Sequence, residues 1–152
     1  MKYRIGIDPG ISGALSLLDE NLHCIAVEDM PTVLLSNKRK QVNAAELGKI
    51  LSSWKRTELT VYLEQVSAMP KQGVSSMFSF GTSYGIVIGV VSALQIPLKN
   101  ILPVKWKRQA ELIGKPKDYA RTLAQRLYPE LNLSRKKDIG RADAILIARY
   151  SD

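Results

Sequence analysis

Across 152 residues the chain has one cysteine, Cys24, and one histidine, His23. A disulfide needs a second thiol and a structural zinc site needs several Cys or His ligands, so neither is available. Cys24 stands near the apolar Leu22 and Ile25 and reads as a simple buried thiol in a reducing, cytoplasmic setting. No run stands out as the ~18 apolar residues of a membrane span, and no leader precedes the first strand-like stretch, so no membrane partner is expected. Acidic residues fall well short of basic ones in one part of the chain only. Residues 1–98 carry nine Lys and Arg against eight Asp and Glu, a net +1, whereas residues 99–152 carry thirteen against six, a net +7. A basic part beside a near-neutral part points to a polyanion, most simply nucleic acid; the alternative is a solvated basic surface.

What is present is an ordinary globular composition, 45% hydrophobic and 24% charged, long enough for one domain over 1–152 with a real core. In Lys2–Asp8, Tyr3, Ile5 and Ile7 alternate with Lys2, Arg4 and Gly6, the period of a strand with one buried face. Pro9 and Gly10 end it, which presents Asp8 at the strand mouth, either as a turn cap or facing a metal. Gly13–Asp19 and Leu22–Asp29 continue as antiparallel strands, and Pro31–Gln41 reads as an exposed connection. Asn43 caps a helix whose Leu47, Ile50, Leu51 and Trp54 recur at helical spacing. Leu59–Val66 is the fourth strand, with Glu64 near its end. An acid there is costly to bury unless a cation or hydrogen bonds meet it; a buried pair with an arginine is the alternative.

Ser67–Phe80 reads as a loop running into a helix over Gly81–Ala93. Gly81, Gly85 and Gly89 leave backbone bare there for a second helix or for the chain's own sheet. Asn100–Val104 is predicted as the fifth strand, and the rest is helical: Lys117–Tyr128 and Arg141–Tyr150, joined through the basic Ser134–Lys137 loop. Asp143 falls in the first turn of the last helix, where the helix dipole alone would favour it by about 0.3–1 kcal/mol. Asp138 stands where it could cap that helix.

Several stretches together resemble the RuvC-type Holliday-junction resolvases of the RNase H-like nuclease superfamily, in particular the compact phage and bacterial members. They are Gly6-Ile-Asp-Pro-Gly-Ile-Ser-Gly-Ala14, Leu63-Glu-Gln-Val66, Lys71-Gln-Gly73, Phe80-Gly-Thr-Ser-Tyr-Gly85, Trp106-Lys107, Lys117-Asp-Tyr-Ala-Arg121 and Asp138-Ile-Gly-Arg-Ala-Asp-Ala-Ile-Leu-Ile-Ala148. The resemblance implies an α/β, RNase H-like fold: a mixed five-stranded sheet, strands one to three antiparallel, flanked by helices. It implies a Mg²⁺-dependent endonuclease of DNA recombination and repair that nicks four-way junctions symmetrically as a homodimer. Two ions are expected per site, with Mn²⁺ as a substitute and no small-molecule cofactor.

Carried onto this chain, the resemblance makes Asp8, Glu64 and Asp143 catalytic metal ligands. Its pattern has an acid or histidine three positions before the last aspartate, where this chain has Gly140, so Asp138 is the candidate fourth ligand. Reaching the site from there requires an irregular helix start around Ile139 and Gly140, since five residues of regular helix turn a side chain about 140° away. Ser67 replaces a stacking phenylalanine of that pattern, leaving Phe78 or Met77 to supply an aromatic or apolar wedge. DNA contacts are expected from Lys71, Gln72 and Phe78, from Lys105, Lys107, Arg108, Lys115, Lys117 and Arg121, and from Arg135, Lys136 and Lys137. Carboxylates crowded in this way call for a hard cation, and lysines without base contacts suit recognition of junction shape. Nucleases for flaps or structured RNA, and a DNA-binding module with a degenerate site, remain alternatives. An actin-like ATPase half would need a second similar domain.

Overall fold

A computed structural model describes residues 1–152. Strands β1 (Lys2–Asp8), β2 (Ala14–Leu18) and β3 (Cys24–Asp29) form an antiparallel meander. A hairpin of β4 (Thr32–Leu34) and β5 (Lys40–Val42) leads into helix α1 (Ala44–Ser53). Then come β6 (Glu58–Glu64), α2 (Val74–Ala93), β7 (Leu98–Ile101), α3 (Pro103–Gln109), α4 (Tyr119–Leu127), a 3-10 turn Lys136–Asp138 and α5 (Ile139–Tyr150). The main sheet has the order β3-β2-β1-β6-β7, with β6 parallel to β1 and β7 parallel to β6. This is the mixed five-stranded sheet with antiparallel first strands that the resemblance implies.

The period-two pattern divides the core into two layers. Ile5, Ile7, Leu15, Leu17, Val61 and Leu63 face Leu47, Leu51, Val87 and Val91 of α1 and α2. Leu18 and Tyr62 share the other layer with Trp106, Ala124, Ile145 and Leu146. There α5 lies hard against β1, because Gly6 has no side chain: a Cβ at that position would collide with the Ala144 carbonyl oxygen and sit 2.6 Å from the Ala148 nitrogen. The buried Ser16 hydroxyl donates to the Ala144 carbonyl at 2.8 Å. These contacts set the height and rotation of α5, and therefore where Asp143 points.

Four expectations are corrected. Pro31–Gln41 is not merely a connection but mostly the β4–β5 hairpin, whose β5 is held when the Val42 N–H donates to the buried Ser83 hydroxyl at 3.2 Å. The fifth strand lies at Leu98–Ile101, because Pro103 opens α3 at a position where its missing N–H costs nothing. Helix α2 starts at Val74, seven residues before the predicted Gly81; serine and glycine hid its period. At mean hydropathy 1.5 it is also long and apolar enough to cross a membrane, a run the sequence reading overlooked, although Val87 and Val91 seat it on the sheet. Asn43 caps α1 as predicted, its side-chain oxygen accepting from the Glu46 N–H at 3.2 Å.

A carboxylate cluster at the end of the sheet

Asp8 ends β1 and Glu64 ends the neighbouring parallel β6, each one residue beyond the paired Ile7 and Leu63. Since Ile7 and Leu63 point into the α1–α2 layer, alternation turns Asp8 and Glu64 towards α5. The turn after Asp8 is closed by the Gly13 N–H donating to the Gly10 carbonyl at 2.9 Å; a Cβ on Gly13 would strike the Asp8 carbonyl oxygen. The Gly10 N–H reaches Asp8 Oδ1 at 3.4 Å. Glu64 accepts a 2.7 Å hydrogen bond on Oε2 from the indole N–H of Trp106, a side chain with no solvent exposure. Trp106 is a contact that sequence reasoning missed. Its tryptophan-lysine motif was noted, but nothing local links it to a residue 42 positions away.

Asp143, one residue before Ala144 on α5, completes the group. Burial, followed by the charge of Glu64, pushes Asp8 up to about 6, opposed by the Gly10 N–H, Lys117 and Lys107. Burial, followed by the charges of Asp8 and Glu64, pushes Asp143 up to about 7, opposed by Lys107 and Lys117. Asp8 and Asp143, buried beside one another and beside the charge of Glu64, thus retain protons near neutral pH for want of positive charge. No three of these side chains close into a ready-made cage. In donor chemistry and charge demand, however, the three fit a hard divalent cation, which takes carboxylate oxygens and would relieve the repulsion. A cleft of about 310 Å³ runs from Asp143 between Lys107, Lys115, Lys117 and Pro116.

The structure does not bring Asp138 into this group. The charges that act on it are cations, Arg135 and Arg141, and they hold its carboxyl below the ordinary range, the Arg135 hydrogen bond first among the causes. Asp138 is 1% exposed and accepts from the Arg135 guanidinium at 2.7 and 3.1 Å and from the Arg135 N–H at 2.9 Å. The helix start is irregular, as expected, since a 3-10 turn precedes α5. At Gly140 a side chain would collide with the Ser12 carbonyl oxygen and crowd the Gly13 Cα at 3.1 Å. The position where the resemblance has its additional acid is filled in this fold by the β1–β2 turn.

Among the predicted DNA contacts, Lys71, Gln72, Lys105, Arg108, Lys115, Lys117, Lys136 and Lys137 are exposed, and Lys107 is half-buried over the Trp106 ring. None of these cations is in an ion pair. Arg121 and Arg135 are already committed. Arg121 grips Asp118 with two 2.8 Å bonds and donates to the carbonyls of Leu133 and Ser134, which ties α4 to the loop behind it. Phe78 is 76% exposed on the first turns of α2, whereas Met77 is partly covered.

A scan against protein-family models finds no match, and a search of curated proteins finds none either. Solved structures do match. Thermus thermophilus RuvC in complex with a Holliday junction substrate superposes with TM-score 0.69 at 17% identity, covering 97% of this chain and 90% of that one. A second Thermus thermophilus RuvC structure gives TM-score 0.58 at 16% identity, covering 96% and 90%. At such identities the likeness speaks for architecture, and across nearly its whole length the chain has the fold of these RuvC structures.

Proposed function

We propose that this protein is a divalent-metal-dependent endodeoxyribonuclease that resolves four-way DNA junctions by paired, symmetric nicks. The observation that carries the reading is the grouping of Asp8, Glu64 and Asp143 at the sheet end, short of positive charge and beside the unpaired Lys107 and Lys117. The structural neighbour bound to a Holliday junction supports the choice of substrate. Asp8, Glu64 and Asp143 would hold Mg²⁺, two ions in the fullest occupancy and Mn²⁺ as a substitute, which would polarise the scissile phosphate and favour water as the nucleophile.

The chain's own residues divide the remaining work. Trp106 orients Glu64 by fixing one carboxylate oxygen, leaving the other free. Lys107 and Lys117 sit where they oppose the charge on Asp8 and Asp143, so they can bind the scissile phosphate and stabilise developing charge. Lys105, Arg108, Lys115, Lys136 and Lys137 extend that cationic track to neighbouring phosphates, which position DNA without reading its sequence. Lys71, Gln72 and Phe78 lie on the loop and first turns that follow Glu64. With Ser67 small, the exposed Phe78 ring is the side chain suited to stack at an opened junction centre.

A two-fold junction calls for a two-fold enzyme, and α2 is the surface for it. Nothing lies within 4 Å of where Cβ atoms would stand on Gly81, Gly85 and Gly89, so a second α2 can approach backbone to backbone in an isologous dimer.

The test is cleavage of a synthetic four-way junction with and without Mg²⁺ or Mn²⁺, alongside forks, flaps and RNA hybrids. Paired nicks at symmetric positions on the junction, dependent on the metal, are expected. Metal-dependent cutting of flaps or RNA in preference would reassign the substrate, and no cutting of any branched molecule would overturn the enzyme.

A further inference from the structure

The cationic residues predicted to meet DNA all follow residue 70, yet Lys38-Arg39-Lys40 is as dense a run of positive charge as Arg135-Lys136-Lys137, and it has no acid between Met30 and Ala45. The structure places this run at the tip and along the second strand of the β4–β5 hairpin, and the tip is well ordered by its own bonds. The Leu35 N–H donates to the Arg39 carbonyl at 2.8 Å and the Lys38 N–H to the Leu35 carbonyl at 2.9 Å. The Arg39 N–H donates to Asn37 Oδ1 at 2.9 Å, and Lys38 takes the left-handed conformation that the turn demands, φ 65°. The hairpin is fastened to α2 at two points, Val42 on Ser83 and the Arg39 guanidinium on the Ser79 hydroxyl at 3.2 Å. All three cations are exposed and none is in an ion pair.

Between hairpin and α2 lies a cleft of about 230 Å³, lined by Ile11, Arg39, Lys40, Gln72, Ser76 and Ser79 among others. Its polar side chains are cations, an amide and hydroxyls, with no carboxylate. Such a lining offers donors and positive charge and nothing to repel an anion, which is the chemistry of a phosphate contact. Its position gives it meaning. Ile11 belongs to the turn three residues beyond Asp8, and Gln72 to the segment leading from Glu64 into α2. The cleft therefore reaches the carboxylate end of the sheet from the α1–α2 layer, while Lys107 and Lys117 approach it from the α3–α5 layer.

We propose that the β4–β5 hairpin is a second DNA clamp. Arg39 and Lys40 take the sugar–phosphate backbone of a duplex arm on the bank of the active site opposite Lys107 and Lys117, and Ser79 fixes the Arg39 guanidinium for the contact. A pre-ordered hairpin loses little entropy on binding, so its contacts contribute more than those of a floppy basic loop. The clamp is blind to sequence, because its donors address phosphates. It rests on the reading of this protein as a junction nuclease, and deepens it by extending the DNA contacts to the β4–β5 hairpin.

The experiment measures junction binding by the Glu64→Gln protein as a function of salt, with and without Arg39→Gln and Lys40→Gln together. Loss of two phosphate contacts is expected to raise Kd roughly tenfold near physiological salt and to reduce the slope of log K against log salt by about two. Arg39→Lys with Lys40→Arg, which keeps both charges, is expected to restore most of the affinity and the slope. An unchanged Kd and slope overturn the clamp, and so does a weaker Kd with an unchanged slope, which would be a structural effect. The underlying reading fails separately: a wild-type protein that binds junctions but never cuts them loses the nuclease while the salt titration still decides the clamp. A protein that binds no branched DNA overturns both.

Discussion

Asp138 and Asp143 stand five residues apart at the start of one helix, and their surroundings drive them in opposite directions. Asp138 is nearly fully buried and is met on both oxygens by Arg135, so its proton leaves easily. Asp143 has no ion-pair partner, so burial first, and then the charges of Asp8 and Glu64, hold its proton to about pH 7. Burial alone does not raise a carboxylate's pKa; burial without compensation does. The compensated carboxylate is tied to its own turn, and the uncompensated one leaves a demand for positive charge.

The sharpest way to break that contrast is to neutralise each partner. Asp143→Asn, like Asp8→Asn or Glu64→Gln, is expected to lower junction cleavage by more than about a hundredfold with junction binding kept, since even groups that only orient metal ligands cost 10–100-fold. Asp138→Asn is expected to cut near the wild-type rate but to melt lower, by about 4–8 °C, through loss of about 2 kcal/mol of charge-assisted hydrogen bonding. Asparagine preserves a helix-starting role, so the melting loss isolates the Arg135 pair. Cleavage by Asp138→Asn falling as far as that of Asp143→Asn would return Asp138 to the site.

A pH titration of stability without metal sharpens the same contrast. Asp8 and Asp143 have folded-state values of about 6 and about 7 against an ordinary 3.8, so the folded protein binds protons that the unfolded chain has released. Their contribution to stability is therefore present at low pH and is lost as pH rises through about 6 and 7. A metal-free melting temperature that declines by several degrees from about pH 5 to pH 8 is expected, with Mg²⁺ restoring it at the upper end. Asp143→Asn should flatten the profile. Asp138 has the opposite sign, so its contribution is lost only as pH falls through its depressed value. A flat metal-free profile in the wild type would show that the three carboxylates are not coupled.

The smallest expected effect separates two cations of the same segment. Lys117 has no ion-pair partner, so Lys117→Ala should reduce the salt slope of junction binding by about one while leaving melting unchanged. Arg121 has its guanidinium spent on Asp118 and two carbonyls, so Arg121→Ala should lower the melting temperature and leave the slope alone. The reverse pattern would place Arg121 on DNA and Lys117 in the scaffold.

What could be read along the chain was whatever repeats locally. Alternation in Lys2–Asp8 and Leu59–Val66 determined two strands, each with an acid at or near its end, helical spacing determined α1, and the count of charges pointed the basic part at a polyanion. The helix over Val74–Phe80 escaped because serine and glycine carry little periodic signal, and the β4–β5 hairpin escaped because its strands are only three residues long. Other matters only the tertiary structure decided: that Trp106 holds Glu64, that Gly6 and Gly140 let α5 press on β1 and on the turn after it, and that Arg121 is bonded to Asp118 and Arg135 to Asp138. The reason is physical. Periodicity reports which face of an element is apolar, whereas the state of a carboxylate or guanidinium depends on which groups the fold brings within a few ångströms, and α5 and β1 are joined here across nearly the whole chain.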